Sequence, residues 1–147
     1  MPRYSKDRYT IKNPEKYIGT GQPIYRSSWE LAAMRTFDEN PAILKWASES
    51  IKIPYLNPFK QQYSVYVPDF LIVYMDAQGK QHTELIEIKP AKHTFKEQTG
   101  KHINDKIQFA LNQCKWAAAR AWANNKGITF RIITEGDMFH TGSRKRR

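Results

Sequence analysis

The sequence predicts an α/β domain in which a single mixed β-sheet carries helices on its faces. Three observations lead there. Tyr63 to Met75 and Thr83 to Lys89, both rich in Val, Ile, Tyr and Phe, flank the turn-forming run Asp76-Ala77-Gln78-Gly79-Lys80 and read as a β-hairpin. Further on, Ile103, Ile107, Leu111, Cys114 and Ala118 recur at helical spacing, which predicts a long amphipathic helix to about Asn124. After Asn125-Lys126-Gly127 comes one more strand, Ile128 to Thr134. Helix, strand, hairpin, helix and strand in that order form an α/β alternation.

The elements follow in order along the chain. Residues 1–25 interleave Lys and Arg with tyrosines and contain Asn13-Pro14, Gly19, Gly21 and Pro23, so they read as an irregular basic N-terminal arm. Ser27-Ser28-Trp29-Glu30 opens a helix with Leu31, Met34 and Phe37 on one side, ending near Asn40-Pro41. A second short helical turn is expected over Pro41 to Trp46, because proline suits the first turn of a helix. Ile51 and Ile53 alternate with polar neighbours and suggest a strand ending at Pro54, with a loop from Leu56 to Gln62. Pro90 to Lys101 is polar and basic. The body of the domain therefore spans residues 26–135, and residues 136–147 form a basic tail, expected to be flexible, that ends Ser143-Arg144-Lys145-Arg146-Arg147.

Composition narrows the class. With 147 residues, 40% of them hydrophobic, the chain suits one domain around one core. Lys and Arg number 24 against 14 Asp and Glu, a net charge of +10, which draws polyanions and points to nucleic acid unless it is only a basic housekeeping surface. A single cysteine, Cys114, rules out an internal disulfide, and its place on the apolar stripe makes it a small buried hydrophobe rather than a nucleophile. The longest apolar run, Phe70 to Met75, is far too short to cross a bilayer, and the polar N-terminus lacks a signal-peptide core. A soluble protein made inside the cell, with no membrane partner, is expected.

The hairpin itself assembles a site. With the turn centred on Gln78, Asp69 lies opposite Glu87, and directly opposed residues hold their Cβ atoms about 4.5–5.5 Å apart on one face. Lys89, two residues beyond Glu87, points to that face as well. A slip of one residue would send Asp69 to the other side. Two facing carboxylates repel unless positive charge joins them. Lys89 supplies one unit, and a hard divalent cation with oxygen ligands supplies two more; Mg²⁺ suits the pattern, with Mn²⁺ as a substitute and no organic cofactor. Such a metal would polarise a scissile phosphate and acidify water, Lys89 would orient that water or stabilise developing charge, and the backbone carbonyl of Ile88 offers an extra ligand. The bland alternative is a surface ion pair of Lys89 with either acid. Against it stand the apolar residues on both strand faces, Phe70, Ile72, Tyr74, Ile86 and Ile88 on one, Leu71, Val73, Met75 and Leu85 on the other, which leave little room for gratuitous charge.

Pro68-Asp69 followed by Glu87-Ile88-Lys89 resembles the signature of the PD-(D/E)XK nuclease superfamily, and Arg26-Ser27-Ser28-Trp29-Glu30 resembles the helix-borne glutamate motif of its TnsA-like members. Asn13 to Gly19, Tyr25 to Glu30 and Ile53-Pro54-Tyr55 are also similar to the head completion proteins of myovirus-type tailed phages, a family associated with finishing the DNA-filled capsid and considered a nuclease. The resemblance spans roughly residues 9 to 135. It implies a restriction-endonuclease-like core, with Asp69 and Glu87 as metal ligands, Lys89 as the catalytic lysine and Glu30 as a further acid reaching the metal. Glu30 equally fits a capping box with Ser27, and one side chain serves one of these roles at a time. The implied activity is endonucleolytic hydrolysis of DNA phosphodiester bonds during head completion after packaging. The implied partners are DNA and a capsid, portal-vertex or head-tail connector protein, in the host cytoplasm or with the virion. The rivals are a TnsA-like transposition endonuclease or junction resolvase, and a non-enzymatic structural protein that binds DNA ends.

Lys92, His93, Lys96 and Lys101 follow the site as a basic strip suited to phosphate contact, and Lys106, Lys115 and Arg120 on the long helix are weaker candidates. Glu84 falls on the face opposite Glu87 and is expected to be solvated. His82, His93, His102 and His140 lack metal-ligand spacing. Trp116 and Trp122 are expected to pack in the core rather than to stack on bases.

Overall fold

The computed structural model of the protein describes residues 7–89 and 103–134. Its elements are the short strands β1 (Asp7–Arg8) and β2 (Ile24–Tyr25), helix α1 (Ser28–Glu39), strands β3 (Ile43–Ser48), β4 (Ile53–Asn57), β5 (Gln62–Tyr66), β6 (Phe70–Met75) and β7 (Gln81–Ile88), helix α2 (Ile103–Asn125) and strand β8 (Thr129–Ile133), with a 3-10 turn over Pro14–Lys16. Asp76 pins the central hairpin: its carboxylate accepts from the backbone N–H groups of Gln78 and Lys80 at 2.9 and 2.8 Å. Gly79 takes a φ of +81°, which costs glycine nothing. The resulting register pairs Met75 with Gln81 and Phe70 with Ile86, the register expected from a turn centred on Gln78.

The main sheet has the strand order β3-β6-β7-β8, antiparallel throughout except for the parallel pair β7 and β8. A parallel pair needs a crossover connection, and α2 lies in the chain between the two strands. Alternation along the strands sorts two cores. Met34, Phe37, Trp46, Phe70, Ile72, Ile86 and Ile88 pack on the α1 side, while Leu85, Phe130, Trp116, Ala119 and Ala123 pack on the α2 side together with Ile53, Tyr55 and Tyr66. Cys114 and Trp122 pack at the margin of this second core, and Trp116 is buried within it. Among the described residues no helix is long and apolar enough to cross a membrane.

Three local expectations are overturned. Pro41 to Trp46 is not helical; β3 begins at Ile43. A β-bulge between Ile43 and Lys45 breaks the two-residue alternation, so Ile43 and Trp46 share the core at a spacing that imitates a helix. Tyr63 to Met75 is not one strand: the chain leaves β5 at Tyr66 and enters β6 at Phe70. Pro68, fully buried between them, has no N–H to give a ladder. The expected loop from Leu56 to Gln62 is instead the end of β4, a tight turn and the start of β5, which form a second hairpin with Asn57 opposite Gln62. Its turn is built by the Asn57 side chain, which accepts from the N–H groups of Phe59 and Lys60, and by Gln61 at a φ of +53°.

Residues 7–25 wrap onto α1 and β3. Tyr9 is buried, Tyr17 packs edge-on against Trp46 at 4.7 Å, and Asp38 of α1 gathers the segment. The carboxylate of Asp38 accepts from the Tyr9 hydroxyl (2.7 Å) and from the backbone N–H groups of Lys12 (2.7 Å) and Asn13 (3.0 Å). Lys92, His93, Lys96 and Lys101, along with the tail 136–147, lie outside the described residues.

Candidate active site

Asp69 directly precedes β6, and the pairing of Phe70 with Ile86, continued by one residue, sets it opposite Glu87. Its carboxylate Oδ2 accepts from the Ile88 N–H at 2.8 Å, which ties it to β7, and its carbonyl accepts from the Glu49 N–H at 2.9 Å. Glu87 is only 7% exposed. Its two oxygens meet different neighbours: Oε1 accepts from the Tyr66 hydroxyl at 2.6 Å, and Oε2 lies 3.8 Å from the Lys89 ammonium. The Lys89 backbone is itself held by a bond to the Ile133 carbonyl at 2.9 Å, so β8 fixes where that lysine leaves the sheet.

The electrostatics of this patch are unbalanced. Burial, and then the neighbouring Glu87 charge, push the Asp69 carboxyl well above the usual carboxylate range; the Ile88 N–H and Lys89 oppose this only in part. Burial also raises Glu87, against the hydrogen bond from Tyr66 and the charges of Lys89 and Lys115. Burial and the adjacent acids raise the Tyr66 hydroxyl too, so it stays a neutral donor to Glu87.

Glu30 takes up the capping role in an unexpected way. Ser27 Oγ accepts from the Glu30 N–H at 3.1 Å, as an N-cap does. The Glu30 carboxylate, however, reaches back past Ser27, and Oε1 accepts from the Arg26 N–H at 3.0 Å. Burial raises this group, and its charge acts on both Asp69 and Glu87 while it feels Lys89. Glu30 therefore caps the helix and borders the acidic patch at once. Arg26 forms an ion pair with Glu49 beside it.

Sequence reasoning missed two contributors. Tyr66 reaches Glu87 from β5, in a hairpin separate from the one that carries Glu87, and no local pattern marks this. Lys115 was visible as a basic position on α2, but its effect on Glu87 depends on how the helix packs. One reading is corrected: Glu84 is not solvated. It is buried, accepting from Arg131 Nε at 3.0 Å and from the Tyr74 hydroxyl at 2.9 Å, because β8 makes β7 an interior strand.

Among the described residues no three His, Cys, Asp or Glu side chains stand ready as a metal cage. The donor set is instead two facing carboxylates with raised proton affinity, and such a pair fits a hard divalent cation that completes its shell with water and substrate oxygens.

The mixed sheet flanked by two helices, with a Pro-Asp and a Glu-x-Lys brought together by a hairpin, defines a PD-(D/E)XK-type nuclease domain. Residues 40–135 match the family model for the TnsA-like endonuclease N-terminal domain, and the chain belongs to that family. It is also similar to the Head completion nuclease of Enterobacteria phage T4, with 34% identity over 142 residues that cover 89% of this chain and 91% of that protein.

Proposed function

We propose that this protein is a Mg²⁺-dependent endonuclease that hydrolyses DNA phosphodiester bonds while a phage head is completed after packaging, with Mn²⁺ able to substitute. The observation that carries the reading is the pair of raised, facing carboxylates, Asp69 and Glu87, with Lys89 3.8 Å from Glu87 Oε2. Asp69, Glu87 and the Ile88 carbonyl would hold the cation, with Glu30 as the further acid. When bound, the cation supplies charge neutralisation at a phosphate and a more acidic water. The chain's own groups do the rest. Tyr66 holds Glu87 by Oε1 and leaves Oε2 turned towards Lys89. Lys89, fixed by β8, presents its ammonium where negative charge develops on the phosphorus oxygens. The Ile88 N–H keeps Asp69 in place as charge is exchanged. The net charge of +10 supports DNA as the polyanion drawn to the site, and the T4 relative's name supports head proteins as partners.

The test is DNA cleavage by wild type and by a Lys89→Ala variant, with Mg²⁺ or with EDTA, beside a binding measurement. Cleavage that needs Mg²⁺ and disappears in the variant, while DNA binding persists, is expected. Equal residual activity in both preparations would favour the structural, non-enzymatic alternative.

A further inference from the structure

The second hairpin has an inner and an outer face. Ile53, Tyr55 and Tyr66 point into the α2-side core, whereas Pro54, Leu56, Tyr63 and Val65 point out, with Val65 paired to Pro54 and Tyr63 to Leu56. Tyr63 is 72% exposed, Val65 60%, Leu56 54%, and Phe59 in the turn 53%. A contiguous apolar face of this kind, held rigid by the Asn57-built turn, signals a binding surface.

Two observations decide the occupant. Between Glu49 and Asp69 the chain has no acidic residue, but it has two exposed lysines, Lys52 and Lys60, so the face is complementary to a polyanion. Tyr66, the last residue of β5, bonds Glu87 from the inner face, and Tyr63 lies three residues back along the same strand on the outer face, about 10 Å along the strand direction. The outer face is thus close to the site along the strand but on the other side of the hairpin, so only a flexible polyanion reaches both. Base pairs in a duplex hide their faces in the stack; only unpaired nucleotides can offer them to a ring.

We infer that the outer face of the β4–β5 hairpin binds unpaired nucleotides of the bound DNA, with bases stacked on Tyr63 and Phe59 and phosphates met by Lys52 and Lys60. This rests on the nuclease reading of the Asp69–Glu87 site and narrows its substrate to DNA with single-stranded or frayed segments.

Fluorescence anisotropy of the full chain in EDTA, with a blunt duplex and with the same duplex carrying a single-stranded extension, tests it. Wild type should bind the extended probe about tenfold more tightly, since a stacked base contributes on that order. Tyr63→Ser with Phe59→Ser should remove the preference while blunt binding and the melting temperature hold, and Tyr63→Trp should keep it. Equal binding of both probes by wild type, or a preference that survives the double substitution, overturns the inference. So does a concentration-dependent dimer, seen by sedimentation, that the double variant abolishes in the absence of any probe preference. Cleavage of the extended duplex with Mg²⁺, run in parallel, separates the two readings. A preference without cleavage sinks only the nuclease, and cleavage without a preference sinks only the stacking face.

Discussion

Asp38 and the Asp69–Glu87 pair are acids removed from water on opposite sides of one sheet, and the chain treats them in opposite ways. Burial opposes ionisation at Asp38, but the Lys12 N–H, the Tyr9 hydroxyl and the Asn13 groups outweigh it and hold the carboxyl below its usual range. At Asp69 burial and the Glu87 charge win, because a single backbone N–H and one lysine do not offset them. An acid with its donors supplied is a clamp, and here it fastens the N-terminal segment to α1. Acids left short of positive charge are a demand for it, and on this sheet the demand falls at the Glu-x-Lys strand. Clustered buried carboxylates with raised proton affinity are candidates for a functional site.

The comparison breaks most visibly at the acids themselves. Asp69→Asn and Glu87→Gln should each lower cleavage about a thousandfold, as expected when several kcal/mol of metal-borne charge stabilisation is lost. Each should also raise the melting temperature of the metal-free protein at neutral pH, since a neutral amide removes the buried repulsion. A lower melting temperature in both would mean the pair is structural.

Asp38→Ala should do the reverse. Stranding the buried donors of Tyr9, Lys12 and Asn13 should cost about 3 kcal/mol in urea unfolding, the upper end for hydrogen bonds to a charged group, with cleavage per folded molecule unchanged. A loss below about 1 kcal/mol would show that the clamp contributes little.

Tyr66→Phe sharpens the contrast further. It removes the donor on Glu87 Oε1, so Mn²⁺ affinity and turnover should fall about ten- to a hundredfold, as is usual for groups that orient a ligand, while DNA affinity in EDTA stays level. A matching loss of DNA affinity would assign the tyrosine to substrate binding instead.

The smallest effect is a pH profile. Asp69, Glu87 and Glu30 have folded values above their unfolded ones. Their ionisation therefore costs stability in full above the folded values, and the cost vanishes below the unfolded ones. Metal-free protein should gain stability as pH falls from neutral towards the ordinary carboxylate range. Asp38, whose value is depressed, contributes stability that is lost only when pH falls through its folded value, below the ordinary 3.8. Urea midpoints should thus rise on mild acidification and collapse in strong acid. A profile flat across mild acid would remove the unbalanced patch from the account.

Local chemistry was legible in the chain. Asp76 and Gly79 make a turn from their own neighbours, so the register that sets Asp69 opposite Glu87 could be counted out in advance. The N-cap of α1 was readable for the same reason, but the buried face of α2 runs through Asn112, Trp116, Ala119 and Ala123, beside the expected stripe, and Ile103 is 68% exposed. Long-range events were not. The bulge in β3 gave Ile43 and Trp46 a helix-like spacing, and Glu84 could be judged only once β8 covered β7.

What the amino-acid order determined alone was therefore the hairpin, its facing acids and the lysine two steps on, since turn geometry and strand alternation act over a few residues. The tertiary structure decided that Tyr66 arrives at Glu87, that Glu30 and Lys115 add their charges, and that the acids lie out of water. Those outcomes depend on segments distant in sequence burying apolar surface together, and it is burial that turns a pair of carboxylates into a site with an unmet charge.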